Sequence, residues 1–126
     1  MEVKTKGKEP SVSNDNSENE ELKLGGNIIL VGFSLEPTEM IVVKKIIGNY
    51  TKKISEKIDY QDIKITLRQT EKAKSFLHEV EISASTEKGI LAADTVDHNL
   101  YTALSEALEK VYSQAEHKER TSRQVE

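Results

Sequence analysis

The sequence predicts an α+β protein in which a four-stranded sheet is covered on one face by two helices. Apolar residues recur at helical spacing in two long segments and alternate with polar residues in several shorter ones. These segments follow one another in the order β-α-β-β-β-α. Three successive half-polar strands favour antiparallel hairpins, and each strand needs one covered face, which two helices can supply. We therefore expect a two-layer sandwich of about 95 ordered residues.

The first 24 residues are predicted to be a disordered tail. Ser and Asn are frequent there, and the few apolar residues follow no period of 2 or 3.6, so no face of the segment could be buried. Gly25-Gly26 then forms a flexible joint. We divide the chain into a disordered tail at residues 1–24, an α+β domain at residues 25–120 and a frayed C-terminus at residues 121–126. The alternative for the tail is a short peptide that docks on a partner.

The first strand and the first helix follow this joint. Residues 28–31, Ile-Ile-Leu-Val, predict a short strand. Pro37 suits the first turn of a helix, where its missing N–H removes no hydrogen bond, and Glu39 suits the positive end of the helix dipole. Apolar residues at steps of three and four predict one buried stripe along this helix: Met40, Val43, Ile47, Tyr50, Ile54 and Ile58.

Alternating segments predict three further strands. Ile63, Ile65 and Leu67 form the inward side of the second strand, and residues 71–75 form a polar connection. Glu87-Lys88-Gly89 predicts a hairpin turn in which Gly89 adopts a positive φ, and residues 90–93 begin the last strand. The inward set of the third strand is Phe76, His78, Val80, Ile82 and Ala84.

The second helix is expected to begin after residue 97. Asp97 is the predicted N-cap. The outer face carries acidic and basic residues together, with Glu106, Glu109 and Glu116 among them. The buried stripe is Leu100, Leu104, Leu108, Val111 and Ala115.

Composition excludes several classes of function. Asp and Glu total 22 against 18 Lys and Arg, a net charge of −4, which disfavours non-specific coating of DNA or of a membrane surface. The absence of Cys rules out disulfides, thiolate zinc sites and a Cys nucleophile. The longest apolar runs have four residues, whereas a membrane span needs roughly 20. With no leader segment visible, we expect a cytoplasmic protein without a membrane partner.

No constellation of residues suggests catalysis. His78 belongs to the inward set of a strand, and Gly7-Lys8 lacks the strand, the spacing and the hydroxyl of a phosphate-binding loop. A metal site of Asp94, Asp97 and His98 is disfavoured, because Asp94 is better explained as a strand end and Asp97 as a helix cap. We therefore expect no enzyme, no cofactor, no metal ion and no small-molecule substrate.

A specific pattern runs through the second half of the chain. Residues 88–94, Lys-Gly-Ile-Leu-Ala-Ala-Asp, form a Gly-led strand, and residues 99–104, Asn-Leu-Tyr-Thr-Ala-Leu, form a helix start. Residues 78–82, His-Glu-Val-Glu-Ile, precede them, and Glu116-His117-Lys118 falls near the helix end. This pattern resembles the ribosome hibernation-promoting factors, also called ribosome-associated inhibitor A, over residues 27–120. Their β-α-β-β-β-α order is the same, and it is similar to that of double-stranded-RNA-binding domains.

The resemblance implies a function in ribosome hibernation. Members of that family bind the small ribosomal subunit between head and body, over the decoding centre and the mRNA channel. They thereby block mRNA and tRNA and hold idle ribosomes inactive during stress. Long members carry an additional C-terminal dimerisation domain, whereas a chain of 126 residues resembles the short form. We expect a translation inhibitor that is monomeric off the ribosome.

The RNA-binding surface is expected on the outward faces of the helices. Binding to folded ribosomal RNA proceeds mainly through phosphates and shape, and Lys and Arg supply the phosphate contacts. Because three glutamates share the outer face of the second helix, we expect the first helix to bind more strongly. The candidates are Lys44, Lys45, Lys52, Lys53 and Lys57 on the first helix, and Lys110, Lys118, Arg120 and Arg123 on the second.

The alternative function is a protein-interaction or self-association module on the same fold. It would use the sheet face that the helices leave uncovered. The mixed charge of that face argues against a large apolar interface. The residues concerned are Lys64, Thr66, Arg68, Glu79, Glu81 and Ser83.

Overall fold

Five strands and two helices make up the described part of the chain. A computed structural model describes residues 21–24 and 27–125, with side chains described up to residue 119. The first 20 residues of the predicted tail and the Gly25-Gly26 joint lie outside the described residues. The elements are β1 (Glu21–Leu24), β2 (Ile28–Val31), α1 (Pro37–Lys57), β3 (Tyr60–Lys72), β4 (Ser75–Thr86), β5 (Gly89–Asp97) and α2 (Leu100–Val125).

The sheet is mixed and has the strand order β1-β2-β3-β4-β5. β2 and β3 are parallel, and the other neighbours are antiparallel, as expected for the three consecutive strands β3, β4 and β5. The prediction of four strands is wrong, because β1, which lies within the predicted tail, pairs with β2. Leu22 lies opposite Leu30 and Leu24 lies opposite Ile28. Apolar and polar residues do alternate in β1, but four residues are too few to distinguish a strand from a tail.

Both helices pack on one face of this sheet, and the predicted α+β class with two helices is confirmed. In α1, Val43, Ile47 and Ile54 are fully buried, and in α2 the same holds for Leu104 and Leu108. These helix side chains pack against the inward-facing side chains of the central strands. The largest buried side chains of the sheet are Leu30, Ile63, Ile65, Leu67, Val80 and Leu91.

The helix starts follow local capping rules. Pro37 occupies the first turn of α1 as predicted, and the backbone N–H of Glu36 donates to Glu39 Oε1 at 3.1 Å. The predicted Asp97 cap of α2 is wrong. Asn99 caps this helix, because its Oδ1 accepts from the backbone N–H of Thr102 at 3.0 Å.

The turn that leads into α2 explains this displacement. Asp97 Oδ1 accepts from the backbone N–H of Asn99 at 2.8 Å, so Asp97 orders the turn rather than the helix. At the other end, α2 continues to Val125. Fraying of residues 121–126 stays a prediction.

The hairpin of β3 and β4 is longer than the sequence indicated. The polar connection reduces to Ala73 and Lys74, with Ala73 in the left-handed region at φ 57°. Residues 69–76, here named the hairpin arm, are all exposed, so they extend beyond the cover of the helices. The predicted burial of Phe76 is therefore wrong, since its side chain is 53% exposed.

His78 lies at the border of the covered region. It is half-buried, and its Nδ1 lies 3.2 Å from Gln69 Nε2 across the hairpin. Burial lowers the pKa of His78, while the neighbouring carboxylates of Glu39 and Asp97 act in the opposite direction. Gln69 and His78 form the last cross-strand pair of the sheet that the helices reach.

Removing residues 1–24 should lower the Tm by roughly 5–10 °C, because half-buried Leu24 and its strand would leave the edge of the core. Removing residues 1–20 should leave the Tm nearly unchanged, because that segment has no burial pattern. Thermal unfolding followed by circular dichroism compares the two truncations directly. Equal melting temperatures would show that β1 contributes nothing to stability.

Candidate nucleic-acid interface

The outward side of α1 is the most basic surface among the described elements. Because Val43, Ile47 and Ile54 face the core, helical spacing directs Lys45 and Lys52 away from it. The helix carries five lysines and only two glutamates. Four exposed lysines form the basic face of α1, as we name it: Lys44, Lys45, Lys52 and Lys53.

The other predicted cations are placed differently. Lys57 is half-buried and lies 3.7 Å from the carboxylate of Glu119, so it connects the two helices. Lys110 Nζ donates to the backbone carbonyl of Asp94 at 3.3 Å. Lys118 is half-buried on α2, and the side chains of Arg120 and Arg123 lie outside the described residues. The structure thus brings together the exposed cations of α1, whereas the described α2 candidates, Lys110 and Lys118, lie two turns apart.

Polar contacts join the two helices beside the basic face. Burial and a hydrogen bond to Glu109 raise the pKa of the Tyr50 phenol. The Lys53 ammonium lies 5.0 Å from the centre of the Tyr50 ring, within cation–π distance. Glu109, predicted to make the outer face of α2 acidic, therefore lies close to the junction with α1. Lys53 thus lies beside the junction of the two helices.

Side chains of α2 cover the open edge of β5. The Gln114 amide accepts from the Ala92 N–H at 3.2 Å and donates to the Ala92 carbonyl at 2.7 Å. Lys110 donates a hydrogen bond to the carbonyl of Asp94, the next carbonyl of β5 that points towards the open edge. These groups take the place of a further strand and protect an edge that could pair with another chain.

Replacing Gln114 by Ala should lower the free energy of unfolding by about 1–3 kcal/mol, because the edge then lacks two of its hydrogen bonds. Urea unfolding measures this change, and light scattering measures self-association through the opened edge. Ser113→Ala is the matched control, since Ser113 is an exposed neighbour on the same helix. A Gln114→Ala protein as stable and as monodisperse as the control would contradict the role assigned to Gln114.

The uncovered face of the sheet forms a shallow hollow of about 660 Å³. Arg68 and Glu81 form an ion pair across it, with 3.0 Å between nitrogen and oxygen. Both partners are largely exposed, so the pair contributes little to stability. The hollow is lined by charges of both signs, from Lys64, Arg68, Glu81 and Asp94, and by the hydroxyl groups of Thr66 and Ser83.

Two exposed features were not predicted from the sequence. Ile41 and Val42 are 63% and 41% exposed on α1, one turn before Lys45. They fall outside the stripe of Met40 and Val43, so their spacing could have revealed them. The hairpin arm carried no such signal, because its turn contains neither Gly, Pro, Asn nor Asp.

The described residues offer neither a metal site nor a membrane span. Among residues 21–24 and 27–125, no three His, Asp or Glu side chains are grouped in a way that could hold a metal ion. No helix in this part of the chain is long and apolar enough to cross a membrane.

Comparison with known proteins identifies the fold. The sequence matches no family model and no curated protein. The structure is similar to solved structures, among them the N-terminal domain of Protein Y from Thermus thermophilus, with a TM-score of 0.51. The two are 18% identical, and the similarity covers 70% of this chain and 92% of the Protein Y chain. The chain therefore shares its fold with the Protein Y N-terminal domain.

Proposed function

We propose that this protein binds the small ribosomal subunit near the decoding centre and the mRNA channel and inhibits translation by excluding mRNA and tRNA. The resemblance of residues 78–118 to the hibernation factors supports the choice of target. The shared fold with the Protein Y N-terminal domain is consistent with it. The observation that carries the proposal is the basic face of α1, which concentrates four exposed lysines in a chain of net charge −4.

The distribution of charge favours one orientation of the protein towards ribosomal RNA. Ribosomal RNA presents phosphates, and each lysine that neutralises one releases a condensed counterion. The described positions of the uncovered sheet face carry cations and carboxylates in nearly equal numbers, so this face attracts phosphates less than the basic face of α1 does. The basic face of α1 therefore leads the approach, and the sheet stays turned away from the RNA.

The inhibition we propose requires no chemical step. The protein competes with mRNA and tRNA for one site, and the outcome depends on relative affinities and concentrations. Inhibition is then stoichiometric with ribosomes, and dilution or added salt reverses it. In this proposal the protein is cytoplasmic, is monomeric off the ribosome and uses no cofactor.

Co-sedimentation tests the binding. The full chain is mixed with purified small subunits and centrifuged through a sucrose cushion over a series of KCl concentrations, with large subunits as the control. We expect the protein to pellet with small subunits at low salt and to be released progressively as salt rises. Failure to associate at low salt, or association that salt does not change, would contradict phosphate-mediated binding.

A protein-interaction module is the second candidate, favoured by the hollow on the uncovered sheet face. Its charges of both signs would suit a partner of mixed charge or a second copy of the chain. Analytical ultracentrifugation distinguishes the two candidates. Concentration-dependent association that Arg68→Glu abolishes, and that α1 variants leave unchanged, would favour this second function.

A further inference from the structure

The hairpin arm is the most exposed ordered projection among the described residues. Every residue from 69 to 76 is exposed, although the arm belongs to two strands with continuous pairing down to Lys72 and Ser75. Lys72 ends β3, Lys74 lies in the turn at the tip, and the Phe76 side chain is 53% exposed. The Phe76 ring and the Lys74 ammonium group are thus presented beyond the helices, with Glu71 opposite Phe76 on the neighbouring strand.

Contacts at the base hold this arm in place. His98 Nδ1 lies 3.2 Å from the Phe76 carbonyl oxygen and 3.3 Å from Ser75 Oγ. On the opposite strand, Gln69 contacts His78. The arm is therefore supported from the loop before α2 and across its own strands, so its tip is presented in a defined direction.

The orientation of Phe76 relates the arm to α1. Phe76 has the same strand parity as His78 and Val80, so its ring lies on the helix side of the sheet. Glu39, in the first turn of α1, acts electrostatically on His78, so this end of the helix lies above the base of the arm. The ring of Phe76 and the basic face of α1 therefore face the same side of the molecule.

The distance between the two surfaces suits two contacts with one large ligand. Lys72 is three residues beyond Gln69, and Lys45 is six residues beyond Glu39. Three residues of strand and six residues of helix together separate the tip of the arm from Lys45 by roughly 20 Å along the molecule. Such a separation spans several nucleotides and is too wide for a small molecule.

The chemistry of the arm matches RNA. Lysine ammonium groups bind phosphates, and an exposed aromatic ring stacks on an unpaired base of any sequence. Burying Phe76 within the protein would need a cover that the helices do not supply at this row. Ala73 adopts the left-handed backbone conformation, which costs energy for a residue other than Gly. Such a conformation is typical of a turn whose shape is needed.

We propose that the hairpin arm is a second RNA contact, in which Lys74 binds a phosphate and Phe76 stacks on an unpaired base. This inference rests on the proposed function, because the RNA in question is that of the small subunit. It extends the binding surface from α1 to a projection that reaches past the end of the helices.

The test measures the affinity of the full chain for small subunits over a range of KCl concentrations. The variant Lys74→Glu should show roughly tenfold weaker binding and a salt slope lower by about 0.7–0.9, because one phosphate is no longer neutralised. Phe76→Ala should weaken binding roughly fivefold or more at an unchanged slope, and Phe76→Tyr should retain wild-type affinity. Lys88→Glu, in the turn at the opposite end of the sheet, is the matched control and should bind as the wild type does.

Three outcomes would overturn the inference, provided that thermal unfolding shows each variant to be folded. If the arm variants bind normally while Lys45→Glu/Lys52→Glu does not, the arm does not touch the RNA and the proposed function stands. If only Phe76→Ala weakens binding and the salt slope never changes, the arm contacts protein rather than RNA. If the wild type does not bind small subunits even at low salt, the proposed function and this inference fail together.

Discussion

Reversing Lys45 and Lys52 to Glu should reduce the affinity for small ribosomal subunits by roughly 50-fold and lower the salt slope by about 1.5, because two phosphates are no longer neutralised. Both side chains are exposed and directed away from the buried stripe, so the domain should stay folded. Equilibrium binding over a KCl series measures both quantities. Thermal unfolding of the variant confirms that the fold is intact.

The control for this experiment must carry a similar change of charge elsewhere. Lys64→Glu serves, because Lys64 is exposed on the uncovered sheet face, opposite α1. We expect it to weaken binding much less than the α1 variants do. An equal loss of affinity per charge at both positions would mean that net charge, and not the basic face of α1, governs binding.

Replacing Leu104 by Ala should lower the free energy of unfolding by about 2–5 kcal/mol, since the side chain is fully buried between α2 and the sheet. Domains of this kind have only about 5–15 kcal/mol in total, so the variant should be close to its unfolding threshold at 37 °C. Urea denaturation measures the decrease. Glu106→Ala, an exposed position on the same helix, should change stability by no more than about 0.5 kcal/mol.

A decrease well below about 2 kcal/mol for Leu104→Ala would contradict the packing described for α2. It would mean that the site collapses around the smaller side chain or that α2 is loosely held. Ribosome binding by the wild type and by Leu104→Ala should be compared at equal concentrations of folded protein, because the α1 lysines form the basic face only in the folded domain.

The elements with long hydrophobic periods could be predicted from the sequence alone. The α1 stripe has six members at steps of three and four, and Pro37 and Glu39 mark the start of the helix. The Gly89 turn is confirmed with a φ of 108°. β1 could not be predicted, because four alternating residues beside two glycines carry too little pattern. The cap of α2 was misassigned because Asp97 and Asn99 are both good caps, and the path of the chain leaving β5 decides between them.

The candidate site was predictable only to the level of helix faces. Spacing places Lys45 and Lys52 on the outward side of α1, but it cannot show that Lys57 meets Glu119 or that Lys110 reaches β5, since both contacts depend on how α2 lies beside its neighbours. The exposure of Phe76 has a similar origin. Its alternation is correct, but the strand continues past the point where the helices end.

The most direct test of the central claim is an order-of-addition experiment in an mRNA-dependent translation system with ribosomes from the same source. Protein added before mRNA and initiator tRNA should inhibit synthesis at about one molecule per ribosome, and prior binding of mRNA and tRNA should relieve the inhibition, because the ligands exclude one another. Inhibition that does not depend on the order of addition, or that occurs far below one protein per ribosome, would contradict competition for the mRNA and tRNA site.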